Sequence, residues 1–187
     1  MTGRSVCNLI STMTVLDSII PMVSLLGDNS QEWNPEIYHK LEEIEMRLER
    51  LLNQHSNLLS RQHLEVTAEG RNIDAIMVKK DNRRTKPVIW IDCGIHAHEW
   101  VSPPACLHAI DSLVQDSNSV QQQDDLLDAF DFYILPVANP DGYVYTWTHK
   151  RMWRKNRAGA KSFADNCTGV DPNRKFDVDF AFQSTVR

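Results

Sequence analysis

From Pro35 to about Leu59 apolar residues recur at helical spacing. Ile37, Leu41, Ile44, Leu48 and Leu51 stand four, three, four and three apart, with Glu36, Lys40, Glu42, Glu43 and Arg47 between them. The pattern predicts an amphipathic helix with Asn34 as its N-cap and Pro35 at its first position. The same spacing suits a coiled coil, but a run of about three heptads fits a helix laid on a domain core better. Residues 72–79 predict a strand and residues 81–86 a charged turn. Pro87 to Cys93 is a nearly continuous apolar run bounded by Pro and Gly, which reads as a strand buried on both faces. Ser102, followed by Pro103 and Pro104, opens a helix to about Asp116. Residues 117–125 are a polar loop. Phe130 to Val137 predicts another strand, closed by Asn139-Pro140-Asp141-Gly142 as a turn. Strand, loop, helix, loop, strand is the order of an α/β domain, and no internal repeat interrupts it.

Gly27-Asp28-Asn29-Ser30 marks a boundary, leaving residues 1–30 as an unassigned segment. Asp17 and Pro21 break its apolar stretch, so it falls well short of the ~20 apolar residues of a spanning helix. The break also makes it a poor signal peptide. Composition adds exclusions: 42% hydrophobic and 24% charged residues over 187 positions describe an ordinary globular chain. A net charge of −5 gives no global reason to expect nucleic acid or an anionic membrane as partner. Cys7, Cys93, Cys106 and Cys167 match no CxxC pattern, and the apolar surroundings of Cys93 and Cys106 suggest buried thiols.

In open α/β sheets, sites form beyond the carboxyl ends of strands. The loop after the first apolar strand reads Gly94-Ile95-His96-Ala97-His98-Glu99-Trp100. Within one helical turn His96 and Glu99 face the same side. An imidazole and a carboxylate are two of the three protein ligands of a His-His-Glu zinc site. In an extended segment His96 and His98 would be the pair instead, and in a plain surface loop none of the three would bind metal. Residues 143–157 mix Tyr and Trp with Lys and Arg. Such a run can bind nucleic acid, form a solvated basic turn over core aromatics, or aim an Arg at a developing oxyanion. In Asp171-Pro172-Asn173-Arg174 an amide and a guanidinium adjoin behind a stiff turn, a pair able to grip a carboxylate.

The order of these pieces is more specific than any one of them. Gly-Ile-His-Ala-His-Glu-Trp at 94–100, Asn-Pro-Asp-Gly-Tyr at 139–143, Arg-Met-Trp-Arg-Lys at 151–155 and Asp-Pro-Asn-Arg at 171–174 fall in register. Together they closely resemble the zinc metallocarboxypeptidases of the A/B type, and Glu69-Gly70-Arg71 is similar to the same family's approach to its sheet. The resemblance covers roughly residues 31–180. It implies an α/β domain with a mixed, largely parallel sheet and helices on both faces, here truncated before completion, over residues 31–187. It implies one zinc ion held in part by His96 and Glu99, and Arg154 as the group that stabilises the oxyanion. Asn173 and Arg174 would hold the free C-terminal carboxylate of a peptide, while Arg151 and His98 would make flanking substrate contacts. Zinc-dependent release of C-terminal residues from peptides, outside the cell, is the implied activity, with no role for nucleic acid or membrane.

This chain departs from the family pattern at two positions. His98 stands where the family usually has Arg, and Lys175 where it usually has Asn. The family's third zinc ligand, a downstream His, its Glu base and its mobile Tyr have no counterpart, since no His follows His149, no Glu follows Glu99 and no Tyr follows Tyr145. Cys167 resembles one half of a family disulfide. The expectation is therefore a partial catalytic domain with impaired peptidase activity. Its alternatives are a non-catalytic protein that binds peptide C-termini and an unstable truncated product, the latter favoured by the motif-free tail after Phe180.

Overall fold

A computed structural model describes residues 33–81, 85–118, 126–159 and 168–176. The chain divides into two units, Met1–Asn34 and Pro35–Arg187, and every element below belongs to the second. The segment before residue 31, the tail after Phe180, Cys7 and Cys167 lie outside the described residues.

The elements run α1 (Leu41–Gln54), β1 (Leu59–Val66), β2 (Asn72–Val78), β3 (Val88–Asp92), α2 (Ser102–Asn118), α3 (Leu126–Ala129), β4 (Asp131–Leu135) and α4 (Pro140–Thr148). A short 3-10 turn, Pro172–Arg174, follows. The strands form one sheet in the order β1-β2-β4-β3. β1 and β4 both pair antiparallel to β2, while β3 runs parallel to β4. The α/β class and the mixed sheet are those implied by the sequence, with parallel pairing confined, among the described strands, to β3 and β4.

Register explains the core. Val78 pairs with Phe132 and Ile76 with Ile134, and Ile134 in turn pairs with Ile91, so these side chains share one face. Ile76, Ile134, Ile44 of α1 and Ile110 of α2 are completely buried. A two-pronged ion pair links α1 to α2, from Arg47 Nη2 to the Asp111 carboxylate at 2.9 and 3.0 Å. On the opposite face Trp90 stacks on Tyr133, with ring centroids 6.2 Å apart, yet remains 48% exposed.

Several expectations are corrected here. β3 is not buried on both faces: it lies at an edge of the described sheet, with Val88 and Trp90 exposed. The first helix begins at Leu41, not Pro35, with Lys40 as N-cap and its backbone N–H donating to Glu43 Oε2 at 2.7 Å. It ends at Gln54 because Leu59 has left the helix to pair with Val78. β1 went unread because only Leu59 is buried among its eight residues, so burial imposes no alternation. The predicted turn at 139–142 is the start of α4: Asn139 caps it, its side chain accepting from Gly142 N at 3.0 Å, with Pro140 in the first turn. Finally, Cys93 and Cys106 are not thiols. The end of β3 and the early part of α2 bring their Cα atoms to 6.2 Å, and a disulfide joins them.

Candidate metal centre

The first functional loop leaves β3 in a fixed direction. Beyond Asp92, Cys93 N–H donates to Leu135 O and Cys93 O accepts from Ala138 N–H, which keeps the strand beside the exit of β4. Gly94 then turns with φ +66°, a left-handed conformation that L side chains rarely adopt. Its N–H donates to Ser102 Oγ at 2.9 Å. The loop closes on itself through Glu99 N–H to His96 O and Ser102 N–H to Glu99 O. Ala97 N–H reaches across to Arg154 O, which joins this loop to the second basic–aromatic segment.

His96, buried, stands between two carboxylates. Its Nδ1 is 3.1 Å from Glu99 Oε1, and its Nε2 is 3.3 Å from Asp171 Oδ1. Arg154 completes the group: its Nε donates to Asp171 Oδ2 at 3.0 Å, and its Nη1 lies 3.9 Å from Glu99 Oε1. His96, Glu99 and Arg154 therefore lie together, as the resemblance implies. Burial works to raise the Asp171 pKa, but the bonds from Arg154 and from Asn173 N–H outweigh it and hold the carboxyl below its ordinary value. The ring's hydrogen-bond contact is the one between Nδ1 and Glu99; Nε2, buried without a hydrogen-bond partner, meets Asp171 only as a nearby negative charge.

The other expected residues lie around this centre. The His98 ring packs 6.4 Å from that of His96, and its Nε2 is 3.9 Å from Glu99 Oε1. Burial pushes its pKa down; the nearby Arg154, His96 and Arg151 push the same way, against Glu99. Arg151 donates from Nη1 to His98 O at 2.8 Å. Asn173 and Arg174 are exposed on the 3-10 turn two and three residues after Asp171, with Arg174 Nη1 donating to Asn173 O. No distance ties either of them to His96.

A buried polar network anchors the second segment. Arg71 Nη1 bridges Glu69 Oε2 and Asp141 Oδ1, each at 2.7 Å. Arg157, fully buried, lies 4.0 Å over the Tyr145 ring, its Nε 3.4 Å from Glu69 Oε1. The β1–β2 hairpin is thereby tied to both ends of residues 141–157.

The profile of the zinc carboxypeptidase family matches residues 44–186. The chain belongs to the zinc carboxypeptidase family. It is similar to carboxypeptidase B of Rattus norvegicus, at 43% identity over 75% of this chain and 33% of that protein. Carboxypeptidase A2 of the same species is 39% identical over 79% of this chain and 34% of its own length. Among solved structures, thrombin activatable fibrinolysis inhibitor superposes with a TM-score of 0.70 at 39% identity, over 76% of this chain and 35% of that one. Carboxypeptidase A from Helicoverpa armigera gives 0.70 at 34% identity, over 86% and 39%. The chain thus spans about a third of the length of these relatives.

The donor chemistry of this chain fits zinc at two positions, an imidazole nitrogen and a carboxylate oxygen already in contact. Among the described residues no group of three His, Cys, Asp or Glu side chains could hold a metal. The sequence alone does not single out Asp171, although it opens the Asp-Pro-Asn-Arg motif. The available signal was general: a metal-bound His needs an acceptor for its second ring nitrogen.

Proposed function

We propose that this segment supplies the first two zinc ligands, the oxyanion-binding group and the carboxylate-binding pair of a carboxypeptidase acting on peptide C-termini. The observation that carries it is the approach of His96 Nδ1 to Glu99 Oε1 at 3.1 Å with Arg154 beside them. Zinc, when bound, acidifies a water and polarises the scissile carbonyl. Asp171 would hold Arg154 in place and set a negative charge beside His96 Nε2. Arg154, fixed by its Nε–Asp171 bond, would present its remaining N–H groups to the carbonyl oxygen as negative charge develops there. Asn173 and Arg174 would bind the substrate carboxylate, the guanidinium in bidentate fashion, so that a peptide lacking a free terminus is rejected. Zinc sites with only two protein donors bind weakly. The 187-residue chain by itself is therefore expected to hydrolyse peptide slowly or not at all. The Cys93–Cys106 disulfide supports an oxidising, extracellular location.

Binding of free and amidated forms of one peptide, measured by calorimetry, tests the substrate reading. The free acid is expected to bind and the amide not, and Arg174→Ala should remove the difference. Equal binding of the two forms would overturn it. Affinity for the free acid without any zinc-dependent cleavage would favour a non-catalytic binding role, which the absence of a third donor among the described residues makes a specific second reading.

A further inference from the structure

The loop carrying His96 and Glu99 is held from behind by an aromatic stack. Trp100, directly after Glu99, is buried. Its ring lies 3.9 Å from that of Trp147 with the planes 7° apart, and the Arg151 guanidinium carbon lies 3.8 Å from its centroid. Two groups cannot overlie one face of a ring at those separations, so Trp100 is sandwiched between Arg151 and Trp147. In the plane of the ring, its indole N–H donates to Thr146 Oγ1 at 2.8 Å, and Tyr38 meets it edge-on. Arg151 makes a second contact at the same place. Its Nη1 donates at 2.8 Å to His98 O, the carbonyl that also accepts from Trp100 N–H. One guanidinium thus grips the loop at the peptide bond joining His98 to Glu99 and at the ring of the next residue.

We infer that Arg151 is a positioning residue, stacked on Trp100 and bonded to the His98 carbonyl, which sets the geometry of the His96–Glu99 pair and does not act by touching bound peptide. The inference rests on the proposed ligand roles of His96 and Glu99, and it replaces the flanking substrate contact implied by resemblance. The physical reason for Arg at this position is its planar fork, which stacks on an indole and donates in its own plane at once. A Lys ammonium keeps the charge but cannot do both.

Amide hydrogen exchange of the metal-free 187-residue chain tests this without depending on zinc. In Arg151→Ala the amides of Glu99, Trp100 and Ser102 should exchange about 10-fold faster or more, while those of Ile44, Ile76 and Ile134 keep their rates. Arg151→Lys should restore little of the loop's protection, and it carries the same comparison if the alanine variant fails to fold. Unchanged loop amides would overturn the inference in favour of a peptide contact. Uniform acceleration across the chain would overturn it in favour of a general packing role. With zinc ions as the probe, Arg151→Ala should lower affinity by about 10–100-fold, as loss of a group supporting a ligand does. The exchange comparison decides whether Arg151 clamps the loop even if the unaltered chain binds no zinc.

Discussion

His96 has Glu99 on one ring nitrogen and Asp171 on the other, and the two carboxylates do different work. Glu99 lies against Nδ1, the side proposed for zinc, whereas Asp171 places its charge 3.3 Å from Nε2 and bonds Arg154. Asp171→Asn keeps the size but removes the negative charge beside the imidazole. Zinc affinity measured by competition with a chromophoric chelator should fall by about 10–100-fold; an unchanged affinity would mean that Asp171 serves only Arg154. A second residue gives a pH signature away from the metal. Tyr143 is 1% exposed and its hydroxyl donates to His39 O at 2.6 Å, and burial pushes its pKa up to about 12. The unfolded chain releases that proton near pH ~10. Below pH ~10 the phenol's contribution is fully present, and it is lost as pH rises toward ~12, by about 3 kcal/mol in all. The stability difference between the native chain and Tyr143→Phe, from denaturant titrations, should therefore shrink between pH 9 and 12. A constant difference would contradict the assignment.

At the scale of elements, the Asn-Pro pair shows what a sequence signal does and does not contain. It occurs at 34–35, where it looks like a helix cap, and at 139–140, where it looks like a turn, and the structure reverses the two. The dipeptide suits both uses; burial decides. Tyr143, Tyr145 and Thr146 after Pro140 are buried, whereas Glu36 and Tyr38 after Pro35 are exposed, so a first turn there would bury little. β2, α2 and β4 were legible because their apolar residues meet a core. The edge strand β1 was not, because backbone pairing and not burial holds it. The disulfide was also illegible: Cys93 and Cys106 sit on different elements, and only the turn at Gly94 brings β3 and α2 together. It closes the loop that carries His96 and Glu99. By loop-closure entropy, replacing both cysteines with Ala should lower the unfolding free energy by about 2–4 kcal/mol in denaturant titration. Equal stability of the two proteins would contradict this entropic account.

At the scale of the molecule, four motifs scattered over residues 94–174 carried the family, and each alone was weak. The fold gives them one location: β3 delivers the His96–Glu99 loop, α4 presents the segment that ends in Arg154, and the turn at Asp171 closes over both. What the sequence left open was support, since Trp100, Arg151, Asp171 and the Glu69–Arg157 network act through contacts between distant segments. His96 Nδ1 and Glu99 are the proposed metal-binding pair. Nitrogen-15 NMR of the histidine side chains during zinc titration tests it most directly. The His96 Nδ1 resonance is expected to move to the metal-bound range while Nε2 stays protonated, and Glu99→Ala to abolish the change. Zinc-dependent shifts confined to other histidines, with His96 unaffected, would contradict it.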